Sequence, residues 1–277
     1  VNKDKYGYFL LILRPIRDYK GEGNKVRILI SIDDTDEMKR DGIEVRGTGE
    51  LAGMIAARIE ERGWGRCEPV TRHQLLVHPD IPYTSHNSAM CFAAHIAAHR
   101  LQDITALAGD FLWAESAPGS DPGLCIVVPE RVLMPGWLMS FAFMAKNVVL
   151  TKDEAYELAG ALGIHLSEHG GTGDGVIGAM AGAGLRFSGN DGRFRGKLKF
   201  KSADNTLTVR EICSRTIVEQ VKSIKDGRVL DWEERVLLGE GPKAVLMNGL
   251  AVMLVESCTG DESCWWQTCS KSQVKAY

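Results

Sequence analysis

VRILISIDDTDEMKRDGIEVRGTGELAGMIAARIEER, residues 26 to 62, decides how the chain is read. Its opening is apolar and rich in isoleucine, the pattern of a buried strand. It stops abruptly at Asp33, Asp34, Thr35 and Asp36. A polar run follows, then Arg46-Gly47-Thr48-Gly49, then a segment whose apolar residues Leu51, Met54, Ile55 and Ile59 recur at helical spacing. The order is strand, acidic turn, glycine turn, helix. In open α/β sheets, ligands sit beyond the carboxyl ends of strands, and helix N-termini offer free N–H groups to phosphate oxygens. Asp and Thr oxygens suit Mg²⁺, which keeps several waters and is held by a carboxylate or two together with nucleotide phosphates. The stretch therefore points to a Mg-nucleotide site. Short oxygen side chains also cap helices and close turns, so DDTD alone leaves that reading open.

Composition sets the outer limits. The chain has 277 residues, 44% hydrophobic and 25% charged, enough for one large domain or two intimate smaller ones of ordinary globular type. A net charge of −3 argues against a strongly basic nucleic-acid coat, although Arg186 to Lys201 is locally basic. Seven cysteines without a framework suit a reducing, cytoplasmic setting. The apolar run Tyr8 to Leu13 is too short to span a membrane. No membrane partner is expected.

Downstream, Thr71 to Val77 reads as a second strand, followed by a stiff loop bearing Pro79 and Pro82. Asn87 or Ser88 then caps an Ala-rich helix expected over about 88 to 108. A Pro/Gly-rich connection, Ala117 to Gly123, precedes a short β-like run from Leu124 to Val128. Thr151-Lys152-Asp153-Glu154 has the form of a capping box, opening a helix that Gly163 closes near Leu162. The glycines of His169-Gly170-Gly171-Thr172-Gly173-Asp174-Gly175 let the backbone turn or approach a ligand, and from Val176 small residues suit a closely packed helix. Neither a P-loop nor a dinucleotide fingerprint is present. Asn190-Asp191-Gly192, Asp226-Gly227 and Asn248-Gly249 read as hairpin turns, and Thr208 to Val221 as an intervening helix. The fold class expected is α+β with mixed α/β layering and a β-rich carboxyl end.

Other constellations are weaker. Cys91, His95 and His99, at helical spacing but with no evident fourth ligand, and Cys258, Cys264 and Cys269, whose spacings fit paired zinc knuckles poorly, are candidate zinc ligands. His86 and His169 lie near motifs and are candidate acid-base residues. No nucleophile elbow is present.

Three motifs in order resemble one family. Ser31 to Asp36 resembles the G-I-D-D-T-D-S opening of the archaeal tRNA 2-agmatinylcytidine synthetases, which attach agmatine to the wobble cytidine of a minor isoleucine tRNA. Arg72 to Ala89 resembles a second motif of that family, and Gly171 to Gly184 a third. The resemblance covers about Arg27 to Gly184. It implies a kinase-like catalytic region over 25–200, with a ferredoxin-like part within about 71–163; the remainder, 201–277, is the β-rich extension read from its turns. The resemblance implies ATP and Mg²⁺ as cofactors and tRNA or another RNA as partner. Asp33, Asp34 and Asp36 would handle the metal and phosphates, and Thr48 would join them as a catalytic residue. Thr35, Gly47, Asn87, Gly171, Gly173, Asp174 and Gly175 would line the nucleotide. Where the family has G-x-C-T-T, this chain keeps only Thr48, and no full OB-fold or zinc ribbon is recognisable. The alternative expectation is a non-catalytic nucleotide- or RNA-binding module.

Overall fold

The computed structural model describes residues 25–36, 46–81, 87–196, 198, 200, 205–258 and 266–277. The run Tyr8 to Leu13, Pro82, His86 and Cys264 lie outside the described residues. The chain forms two compact units, the second being Ser188–Tyr277.

The first unit contains β1 (Lys25–Asp33), α1 (Thr48–Glu61), β2 (Gly65–Cys67), β3 (Thr71–Gln74), β4 (Ser88–Ala97), α2 (Leu101–Glu115), β5 (Gly123–Val127), α3 (Pro135–Met144), α4 (Lys152–Leu162), β6 (His165–Glu168) and the helix α5 (Gly175–Ser188). Its strands pair antiparallel in the order β6-β5-β1-β4-β3, with β2 also pairing with β4. Alternation along β1 sends Ile28, Ile30 and Ile32 to one face, where they pack with Leu51, Ile55 and Ile59 of α1 and Ile104 and Leu112 of α2. Leu29, Ser31 and Asp33 have the opposite parity, and Leu29 joins the core formed by α3, α4 and α5. Helices therefore cover both sheet faces, and most residues of the central strands are buried.

That two-sided burial overturns the expected Ala-rich helix over 88–108. Ser88–Ala97 is instead the strand β4, bonded to β1 along one edge and to β2 and β3 along the other, and the helix α2 begins only at Leu101. Alanine's helical preference is a fraction of a kcal/mol per residue, about 0.5. Pairing on both edges and helix layers on both faces outweigh it, and the small side chains let those layers approach. The expected strand over 71–77 is shortened to Thr71–Gln74.

The capping box is present as read. Thr151 Oγ1 accepts from the Glu154 N–H, Glu154 accepts from the Thr151 N–H, and Gly163 ends α4 at φ +65°.

The second unit contains β7 (Arg193–Phe194), β8 (Thr206–Thr208), α6 (Val209–Arg215), β9 (Gln220–Ser223), β10 (Arg235–Leu237), β11 (Ala244–Met247), β12 (Leu250–Ser257) and β13 (Trp266–Thr268). It is β-rich, with its own core around Val221, Val236, Met253 and Val255. Asn248 and Gly249, both at positive φ, make the two-residue turn between β11 and β12, with Met247 opposite Leu250. Asp226-Gly227 also turns the chain, bringing Val229 opposite Lys222. Asn190-Asp191-Gly192 does not form the expected hairpin: it links α5 to β7. The expected helix over 208–221 is only α6, because the β-branched residues from Thr216 lead into β9. The mixed α+β class is as expected.

Candidate functional site

Folding brings the acidic end of β1 against the glycine segment that opens α5. Asp33 pairs with Gly123 across β1 and β5. Gly123 approaches Gly175 so closely that a methyl at either position would strike backbone. A methyl on Gly178, one turn into α5, would fall on the Asp33 carboxylate. One turn further, a methyl on Gly182 would come within 2.6 Å of Ser31 Oγ. The small residues of α5 therefore ride along β1 and set Asp33 beneath the helix's first turn.

Asp34 follows at φ +50°, a left-handed conformation that Asp tolerates better than most residues. Its Cβ lies near Gly175. Thr35 is fully buried; its carbonyl accepts from the Ala117 N–H at 3.0 Å, and its hydroxyl has no partner among the described residues. Gly47 precedes α1, and a Cβ there would sit 3.8 Å from Asp36 Oδ2. The N-terminus of α1, with buried Thr48 as its first residue, thus reaches the same strand end.

The electrostatics are unfavourable to free carboxylates. Burial pushes the Asp33 carboxyl up to about 8, with Asp34 and Asp36 adding to the rise and the Asp34 N–H opposing it. Burial and then the charges of Asp121, Asp36 and Asp174 raise Asp34 to about 6. Asp121 is the residue that the sequence reading missed, since it lies in what looks like a Pro/Gly connection. Its carboxylate accepts from the Thr172 N–H and its carbonyl from Gly175 at 3.1 Å. An acid followed by Pro122-Gly123 was the available signal.

The loop glycines meet the chain's own carboxylates. Gly171, at φ +55°, abuts Asp121, and Gly173, at φ +80°, abuts Glu168. Lys152 binds Glu168 and the Thr172 carbonyl, and Tyr156 donates to Glu168 at 2.9 Å. Asn87 lies one strand over from β1, at the same end of the sheet, where its side chain donates to the Leu76 carbonyl at 2.6 Å. His169 is half-buried, its ring against Gly109 of α2 and its Nε2 2.9 Å from Ser167 Oγ. Burial and the neighbouring His165 push its pKa down, which Asp110 partly offsets.

The candidate zinc ligands Cys91, His95 and His99 do not share the face of a helix. With β4 a strand, Cys91 is buried, His95 lies 3.0 Å from Glu68 and His99 falls in a short 3₁₀ turn. Cys269 is buried and Cys258 half-buried. Among the described residues no three His, Cys, Asp or Glu side chains converge as a ready metal cage. A hydrated Mg²⁺ does not require one, because one or two carboxylates and the phosphates of a nucleotide suffice. The oxygen-only donors Asp33, Asp34 and Asp36, two of them raised by burial and mutual repulsion, fit such a cation. The basic stretch is only partly available: Arg186 is buried against Glu68, and Lys197, Lys199 and Lys201 lie outside the described residues. Among the described residues no helix is long and apolar enough to cross a membrane.

No protein-family model matches the sequence, and no curated protein matches it. Part of the chain is similar to crystal structures of TiaS, a tRNA agmatidine synthetase. With a complex of TiaS, its isoleucine tRNA and ATP, the identity is 28% over 57% of this chain and 36% of that one, at a TM-score of 0.49. With a complex of TiaS, the same tRNA, AMPCPP and agmatine, it is 22% over 67% and 43%, at 0.47. A tRNA fluorescent labeling enzyme gives 29% over 57% and 36%, also at 0.47. The chain spans little more than a third of the length of the first of these structures.

Proposed function

We propose that the first unit is an ATP-dependent phosphoryl-transfer or ligase-type enzyme related to tRNA wobble-cytidine modification, with Mg²⁺ as cofactor and tRNA or another RNA as partner. The observation that carries this reading is the packing of Asp33 and Asp34 against the first turn of α5, beside Asp121 and Asp174. Motifs far apart in sequence meet there, and they are the motifs that carry the family resemblance.

Asp33 and Asp34 would hold Mg²⁺, which when bound neutralises charge on the phosphates. Thr48 and the N–H groups opening α1 are suited to fix phosphate oxygens, as helix N-termini do, whereas the first N–H groups of α5 are bonded to the carbonyls of Asp121, Gly173 and Asp174. Burial of Asp33 keeps water from one side of the carboxylates and strengthens their pull on a cation. Catalysis of this kind is mostly positioning and charge stabilisation, so it asks little covalent chemistry of the side chains.

A second reading, a non-catalytic nucleotide- or RNA-binding module, is favoured by one observation: the faces of Gly171 and Gly173 are taken by Asp121 and Glu168. Calorimetric titration separates the two. The enzyme reading expects Mg-ATP to bind wild type, Asp34→Asn to abolish that binding, and ATP turnover to appear when RNA is added. ATP binding with no turnover on any RNA supports the module, and indifference of wild type to Mg-ATP removes the enzyme reading.

A further inference from the structure

A cavity of about 390 Å³ opens in the first unit at the end of β5 remote from the acidic cluster. Gly123 pairs with Asp33 at one end of that strand, whereas Ile126, which lines the cavity, pairs with Ile30 and His165. Three residue steps along the strand separate them, roughly 10 Å. The volume falls in the range of small-molecule sites, about 300–1,000 Å³. Its walls are apolar: Leu101 of α2, Ile126 and Val128 at the end of β5, Val132, and Leu162 closing α4.

Four polar side chains stand at the lining, Gln102, Thr105, Arg131 and His165, and two of them, Arg131 and His165, carry a basic nitrogen. Arg131 is exposed, and its guanidinium has no ion pair or side-chain hydrogen bond among the described residues. That distinguishes it from Arg100, which pairs with Asp103 at 2.8 Å, and from Arg58, which stacks on Phe111 and approaches Glu115. His165 is the second group. Its Nε2 is engaged with Ser167 Oγ at 3.0 Å, leaving Nδ1 as the ring nitrogen for another partner. Thr105 does not compete for a ligand, because its hydroxyl is bonded back to the Leu101 carbonyl at 2.8 Å.

We propose that this cavity binds a small organic carboxylate, its apolar body between Leu101, Ile126 and Leu162 and its carboxylate on Arg131 with His165 beside it. An unpaired guanidinium presents a planar fork that matches a carboxylate in two parallel hydrogen bonds. An apolar body accounts for walls that offer a fully hydrated ion nothing. This site is independent of the acidic cluster, and its test does not involve nucleotide.

The full chain is titrated calorimetrically with benzoate and with octanoate, using benzamide as the uncharged control. Saturable binding of at least one carboxylate is expected, at least about tenfold tighter than benzamide, the scale of a charge-assisted contact. Arg131→Gln is expected to weaken carboxylate binding by about tenfold or more. Ala106→Phe, at an exposed lining position, is expected to abolish it by filling the mouth. Both variants should unfold at the wild-type midpoint, since both positions are exposed. Failure of wild type to bind either carboxylate at about 10 mM, far above the range of a specific site, overturns the proposal. Equal binding of benzamide, or wild-type affinity in Ala106→Phe, overturns it as well.

Discussion

Asp33 is held where a carboxylate is least comfortable, buried beneath α5 with other carboxylates around it. Its carboxyl stands at about 8 in the folded chain against an ordinary 3.8. Between roughly pH 4 and 8 the folded state therefore keeps a proton that the unfolded chain has released, so stability from this group is greatest below that window and is lost as pH rises through it. Asp33→Asn removes the penalty. The variant is expected to gain about 1–3 kcal/mol of stability at about pH 7.5 in the absence of divalent cation. It is also expected to lose Mg-ATP binding. Chemical denaturation and calorimetry on the same preparation check both, and a variant that is less stable and still binds would refute the assignment. Gly178 supplies the converse case. Gly178→Ala puts a methyl on the Asp33 carboxylate, so the helix or the strand end must shift, with an expected loss of about 1–3 kcal/mol in the same assay.

Elements differ in how openly their sequences declare them. The residues of α4 carry their own start and stop: Thr151 and Glu154 exchange bonds at one end, and Gly163 adopts the left-handed conformation at the other. Thr151→Ala is accordingly expected to lower stability by about 1 kcal/mol in thermal unfolding. β1 is equally legible, because isoleucine alternation and a sudden acidic stop are local facts. β4 is not. Nothing within Ser88–Ala97 distinguishes a central strand from a helix, since the deciding contacts are with β1, β2 and β3, all well upstream in sequence. The candidate site divides the same way. Asp33, Asp34 and Gly175 could be named from their motifs, and their meeting could be expected. The part played by Asp121 could not, because it depends on where the connection from Ala117 to Gly123 lies once β5 pairs with β1. The reason for Gly178 and Gly182 is also non-local: each is small because a residue of β1 lies beneath it.

Across the first unit, a second charged network answers the acidic cluster with the opposite pH dependence. Glu68, whose N–H bonds to the Ala93 carbonyl of β4, receives Arg186 of α5 at 2.7 Å, His95 of β4 at 3.0 Å and Arg27 of β1 at 3.6 Å. Arg186 is almost wholly enclosed, and its other nitrogen reaches Thr71 Oγ1 at 3.1 Å. Burial alone would raise Glu68, but the hydrogen bond from His95 and the charges of Arg186 and Arg27 hold it at about 2. Its contribution is thus complete above the ordinary 4.5 and is lost as pH falls from there toward 2. Asp33 and Asp34 weaken the fold as pH rises above about 4, while Glu68 weakens it below, so the cation-free protein is expected to be most stable near pH 4–5. Glu68→Gln should flatten the acid limb of that curve. At about pH 7 it should also cost about 1–3 kcal/mol, discounted for the partial exposure of Glu68, because the buried Arg186 charge loses its partner. Adding Arg186→Met should restore much of that loss, as replacing both members of a buried pair often does. Urea denaturation from about pH 2.5 to 8 on wild type and the two variants measures all of this. An acid limb unchanged in Glu68→Gln would mean that α5 is held over β1 by packing alone, with the ion pair contributing nothing to the placement of the helix that covers the site.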